Sequence, residues 1–160
     1  MTNIRIGLGY DVHAFGESEK LVLGGVNIPY EKGLKGHSDA DVLLHAITDA
    51  LLGSLALGDI GTHFPDTDPA YKNADSLLLL KSAYKLVTEN GYKVVNVDTT
   101  VIAEDPKLKP FIPQIRTRIS GALGCDTEQV SVKATTSEKM GFAGRKEGIA
   151  VHAVVLVQEI

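Results

Sequence analysis

Apolar positions in this chain recur with two periods, and the change between them marks out the elements. Ile4, Ile6 and Leu8 alternate with short or polar residues, the period of a strand. That strand runs into the segment Gly9-Tyr10-Asp11-Val12-His13. Leu21–Leu23 and Val26–Ile28 flank Gly24-Gly25, the pattern of a tight hairpin. A polar loop with two glycines, Tyr30 to Gly36, follows. The period then becomes helical from Ser38 or Asp39 to about Ala56, where Gly58-Asp59-Ile60-Gly61 stops it. His63 to Asp75 reads as a surface loop, and Ala74 to Glu89 as a second helix closed by Asn90-Gly91. Val94 to Ala103 is β-branched and reads as a central strand. Three prolines, Pro106, Pro110 and Pro113, precede a third helix from about Ile112 to Leu123, ended by Gly124. Val130–Ala134 and Ile149–Val157 are the last strands, joined by a loop rich in hydroxyls and glycine from Thr135 to Arg145.

The order is β-ββ-α-α-β-α-β-β, with no repeat and no linker, so residues 1–160 form a single domain. It predicts an α+β fold: a mixed four-stranded sheet, helices on one face and a small N-terminal hairpin. A doubly wound nucleotide fold would want strict strand–helix alternation. Gly7-x-Gly9 is not a dinucleotide fingerprint, because Val12 holds the third glycine position and no helix follows.

Composition narrows the partners. Sixteen Lys and Arg against 20 Asp and Glu leave a formal charge of −4, and there is no Trp. With neither a basic excess nor a row of stacking platforms, the chain is poorly suited to a nucleic-acid partner. Apolar stretches are broken by Asp49, Asp59 or Lys81 well short of a membrane span, and the first 15 residues carry no signal-like core. Cys125 is the one cysteine, with no His or Asn nearby to activate it. These features suit a protein of the reducing cytoplasm, or of a compartment reached after a targeting segment has been removed, with no membrane partner.

The chemistry concentrates in histidines and carboxylates. Asp11 and His13, two apart on an extended segment, point to one face. Asp41, His45 and Asp49 lie at i, i+4 and i+8 on a helix that is otherwise apolar nearly all round, so the stripe is buried and needs partners. Asp11, His13 and His45 make a set of two imidazoles and one carboxylate with a fourth position open, the arrangement of a catalytic zinc site. Asp41 and Asp49 are then candidates for orienting a ligand imidazole. The alternative is a capping cluster with a His–Asp hydrogen bond. His37-Ser38 stands before the helix: Ser38 or Asp39 is a good N-cap, and a helix N-terminus is also a place for phosphate. Thr135, Thr136 and Ser137 add hydroxyls at a strand end, and Glu138 a carboxylate suited to magnesium.

The run from Ser38-Asp39-Ala40-Asp41 through Leu43-Leu44-His45 to Leu52-Gly53 closely resembles the signature of the 2-C-methyl-D-erythritol 2,4-cyclodiphosphate synthase family. Gly9 to His13, Gly58 to Gly61, Phe64 to Asp68, Lys133 to Thr136 and Gly141-Phe142 with Gly144-Arg145 extend the resemblance along the chain. It implies ring closure of a cytidine-diphosphate-linked methylerythritol 2-phosphate to a cyclic diphosphate, releasing CMP, in non-mevalonate isoprenoid biosynthesis. By matching position, Asp11, His13 and His45 hold zinc, and Glu138 holds the magnesium or manganese bridging the substrate diphosphate. His37 and Thr136 stabilise the transition state, and Ser38 contacts substrate with the Asp11-Val12-His13 segment. Asp59, Ile60, Gly61, Phe64, Pro65, Asp66, Thr67 and Asp68 line the methylerythritol pocket. Ala103, Pro106, Lys107, Leu108 and Thr135 shape the cytidine site, with Ser137, Phe142 and Arg145 as further contacts.

The same resemblance implies a homotrimer of chorismate-mutase-like architecture. Its active sites lie between subunits, and a prenyl diphosphate is held at the axis near Arg145. The sequence departs from the family pattern at Glu104-Asp105, which would weaken nucleotide affinity if these carboxylates faced the phosphates. Two rivals share the residues: a zinc phosphodiesterase or pyrophosphatase with Asp66 or Glu138 activating water, and a non-catalytic trimeric binding module with a structural ion.

Overall fold

The computed structural model describes residues 3–17 and 20–160. Four long strands form the sheet anticipated from the pattern: β1 (Ile4–Gly16), β5 (Tyr92–Ile102), β6 (Val130–Thr135) and β7 (Gly148–Glu159). A two-residue strand, β4 (Gly33–Leu34), extends it to five in the order β4-β1-β7-β5-β6. Only β5 and β6 run parallel; every other pair is antiparallel. The hairpin β2 (Leu21–Leu23) and β3 (Val26–Ile28) forms a separate two-stranded sheet.

Strand β1 continues eight residues past Leu8, because eleven successive residues, Ile4 to Ala14, pair with β7. The polar segment carrying Asp11 and His13 is therefore held rigidly in a ladder. Helix α1 (Val42–Ser54) lies across this sheet and is the centre of the core: Val42, Leu43, Leu44, Ala46, Ile47, Ala50, Leu51 and Leu52 are fully buried. It starts later than the pattern suggested. Asp41 is the N-cap, accepting from the Leu44 N–H at 3.1 Å, while Ala40 at φ +56° breaks the helix before it. Gly7 and Gly9 let the helix sit this close. A Cβ at Gly9 would stand 1.8 Å from the carbonyl oxygen of Ala46, and one at Gly7 equally near that of Ala50.

Helices α3 (Ser76–Glu89) and α4 (Ile112–Leu123) complete the layer, α4 ending at Gly124 in the left-handed conformation. The loop after α1 contains a short helix, α2 (Ile60–His63), and a 3-10 turn at Pro69–Tyr71. A further short helix, α5 (Gly141–Gly144), sits in the loop before β7. The opposite face of the sheet is bare. Ile4, Ile6, Leu8, Tyr10 and Val12 of β1 are exposed, Leu8 by 69%. No helix among the described residues is long and apolar enough to cross a membrane.

Candidate metal centre and substrate cavities

Asp11 and His13 project from β1 toward α1, where His45 occupies the first turn of the helix. Their three inward atoms form a nearly equilateral triangle. His13 Nε2 lies 2.9 Å from Asp11 Oδ2, and His45 Nδ1 lies 3.2 Å from both. Ligands on a tetrahedral zinc at 2.0–2.1 Å stand about 3.3 Å from one another, so the triangle already has the size of one face of that tetrahedron.

The hydrogen bonds behind the rings decide what the inward atoms offer. His13 Nδ1 donates to the Lys35 carbonyl at 2.6 Å, leaving a lone pair on Nε2 in the neutral ring. On the other side, the Ser76 hydroxyl donates to Asp39 and so accepts from His45 Nε2 at 2.8 Å, leaving a lone pair on Nδ1. Two imidazole lone pairs and a carboxylate oxygen thus converge, a set that can hold a metal ion. When the rings are protonated, the same nitrogens hydrogen-bond to Asp11 instead. Burial pushes the Asp11 carboxyl up, but hydrogen bonds from His13 and His45 outweigh it and hold it at about 2. Burial lowers His13, yet the Asp11 carboxylate more than offsets this and raises it. The donor set of two nitrogens and one oxygen suits zinc.

Asp41 and Asp49 do not take the orienting role expected of them. Asp41 is fully buried and accepts from the Gly24 and Gly25 N–H groups at 3.0 and 2.7 Å, fastening the β2–β3 turn to the start of α1. Asp49 accepts from the Ile60 N–H at 2.7 Å and ties α2 to α1. The imidazoles are oriented instead by the Lys35 carbonyl and by Ser76, at the start of α3. Ser38 and Asp39 are not the helix cap: Ser38 Oγ lies 3.0 Å from His45 Nε2, and Asp39 accepts from the Asp41 and Ser76 N–H groups.

A cavity of about 300 Å3 opens over the triad, lined by Asp11, His13, His37, Ser38, His45, Ile60, Gly61, Phe64, Asp66, Tyr71 and Leu79. Tyr71 and Leu79 had no signal in the sequence beyond their place in a loop and a helix. Asp59 and Asp68 act as caps rather than wall, accepting from the Thr62 and Ala70 N–H groups. Pro65 and Thr67 are likewise outside the lining. Val12 is exposed and alternates away from Asp11 and His13. The His37 ring donates to the Asp68 carbonyl through Nε2 at 3.3 Å.

A second cavity, of about 140 Å3, gathers Ala103, Pro106, Lys107, Leu108, Ala134, Thr135 and Thr136 between the ends of β5 and β6. It shares no residue with the first. Glu104 and Asp105 are engaged elsewhere: Glu104 accepts from the N–H groups of Ser137 and Lys139 in the loop after β6, and Asp105 pairs with Lys146 at 2.6 Å. Phe142 lies in a third cavity of about 200 Å3 with Tyr10, Ile102, Ser137, Met140 and His152, while Arg145 makes a two-pronged ion pair with Glu147.

The profile of the YgbB family spans residues 4–158, nearly the entire chain. The chain belongs to the YgbB family. This YgbB chain is 61% identical to the 2-C-methyl-D-erythritol 2,4-cyclodiphosphate synthase of Neisseria gonorrhoeae over 160 residues, covering all of both. It is 60% identical to the protein of that name from Chloroherpeton thalassium, over 98% of this chain and 100% of that one. Among solved structures, the bifunctional IspDF of Campylobacter jejuni superposes with a TM-score of 0.96 at 49% identity, covering all of this chain and 43% of that one. The IspF of Plasmodium falciparum, in a CDP complex, gives 0.86 at 38% identity, covering 99% and 98%.

Proposed function

We propose that the chain is a 2-C-methyl-D-erythritol 2,4-cyclodiphosphate synthase. It converts 4-diphosphocytidyl-2-C-methyl-D-erythritol 2-phosphate to the cyclic diphosphate and CMP in non-mevalonate isoprenoid biosynthesis, and acts as a phosphorus–oxygen lyase. The observation that carries this reading is the convergence of three lone-pair donors beneath a cavity, in a chain that matches synthases of this name from end to end. The substrate's own 2-phosphate is the nucleophile, so the protein needs no activated Ser or Cys. Its work is to fold one flexible polyanion so that the 2-phosphate meets the β-phosphate, and orientation of this kind supplies several kcal/mol.

Asp11, His13 and His45 would hold zinc and Glu138 magnesium or manganese, which when bound supply Lewis-acid neutralisation of the phosphate oxygens. Ile60, Gly61, Phe64 and Asp66 form the methylerythritol wall, His37 and Ser38 stand at its phosphate end, and Thr136 meets the leaving side. Ala103, Pro106, Lys107, Leu108 and Thr135 receive the cytidine. The substrate joins these two groups, and their separation within one chain supports a homotrimer in which neighbours share each site. The bare apolar face of β1 supports it too: each large side chain left in water forgoes about 1.5–3 kcal/mol of burial. The cavity at Tyr10 and Phe142 on that face is the place for a prenyl diphosphate, which would raise the melting temperature. The enzyme works in the cytoplasm.

Purified protein with the cytidylyl substrate, zinc and magnesium is expected to give CMP and a cyclic diphosphate by phosphorus NMR. Linear hydrolysis products alone would overturn the synthase reading and favour a phosphodiesterase.

A further inference from the structure

Among the described residues, six that are not glycine have φ in the left-handed region, and three of them, Glu138, Lys139 and Lys146, fall in the loop between β6 and β7. Two left-handed L-residues in succession, Glu138 at φ +55° and Lys139 at φ +62°, are a disfavoured conformation that needs an external hold. One oxygen of Glu104 supplies it. Glu104 Oε1 accepts the N–H of Ser137 and the N–H of Lys139, each at 3.1 Å, gripping the backbone on both sides of Glu138. Inside the grip, the Glu138 N–H donates to Thr136 Oγ1 at 3.3 Å, so the same turn fixes the threonine hydroxyl. Glu104 is itself anchored, because the Ala103 N–H before it donates to the Thr135 carbonyl at 2.9 Å.

We propose that Glu104 is a positioning residue: its carboxylate holds the 136–139 turn in the left-handed form that presents Glu138 and Thr136 together. This rests on the reading of Glu138 as the ligand of the second metal. This acidic residue, next in sequence to Ala103 of the second cavity, is thus spent on donors of the 136–139 turn. Because one oxygen accepts both bonds, the role belongs to geometry rather than to charge, and a glutamine that keeps Oε1 should fill it.

The test uses the zinc-loaded full chain as Glu104→Ala and Glu104→Gln. In Glu104→Ala, amide exchange at Ser137 and Lys139 is expected to accelerate about tenfold or more, and the Mn2+ concentration for half-maximal CMP release to rise about 10–100-fold, with zinc content unchanged. Glu104→Gln should restore both to within about threefold of the parent. Unchanged exchange in Glu104→Ala would overturn the proposal, as would faster exchange without a shift in Mn2+ dependence. A glutamine variant as poor as alanine would overturn the geometric role. Exchange needs neither substrate nor turnover, so failure of the synthase reading, seen as a parent protein that makes only linear products, is told apart from failure of the Glu104 role.

Discussion

At the scale of single residues, the candidate metal centre depends on groups that stand behind the triad. Ser76 is the clearest case: it lies 31 positions from His45 and fixes which imidazole nitrogen faces inward. Ser76→Ala should lower zinc affinity about 10–100-fold, read by competition with a chelator, while the fold and α1 persist. Asp41 carries a pH-dependent term. Burial, ahead of its three backbone hydrogen bonds, pushes its carboxyl up to about 6. The native state then keeps a proton that the unfolded chain releases above about pH 4, so stability contributed here falls as pH rises from 4 to 6 and is level beyond. The loss is about 3 kcal/mol. Denaturation of Asp41→Asn at pH 4.5 and 7 should lack this slope, and an identical slope in both proteins would remove the assignment to Asp41.

The elements show what sequence pattern reads well and where it stops. Asp11, His13 and His45 were legible because strand and helix periods fix which residues share a face. The span of α4 was equally plain, bounded by proline and by Gly124. The start of α1 was not, since Ser38, Asp39 and Asp41 all have capping chemistry and only the long-range bonds of Asp39 to Ser76 choose among them. Nor was the role of Asp41 and Asp49, whose partners are backbone N–H groups far along the chain and silent in the sequence. Gly7 and Gly9 were visible, but their use is the close seat of α1 on β1. Gly9→Val should cost about 3 kcal/mol or more, because a Cβ there meets backbone that has no rotamer to yield. A denaturation midpoint unchanged from the parent would show that the helix can lift without loss.

For the whole molecule, the apolar side of β1 and the two separate cavities bear on the proposed homotrimer. Leu8→Asp places a charge in the middle of the bare face, in register with Val154 on β7. If the proposed trimer and zinc site hold, the variant should sediment as a monomer and lose at least about tenfold in turnover while still binding added zinc as the parent does. Monomers with full activity would place the whole site in one chain. The open face grades from apolar on β1 to polar on β5 and β6, where Asp98 and Lys133 pair at 2.9 Å, so its two sides offer different chemistry.

Strand β1 serves two masters on alternate residues. Asp11 and His13 face the helix, while Leu8, Tyr10 and Val12 face outward. Odd and even positions therefore serve the candidate metal centre and the proposed assembly face separately, on one rigid rail. A single inserted residue upstream, accommodated by a slip along β7, would turn the ligands outward and drive leucine and tyrosine into the helix seat kept clear by Gly7 and Gly9. Neither task can drift in register without abolishing the other, so the length of this strand is as constrained as its letters.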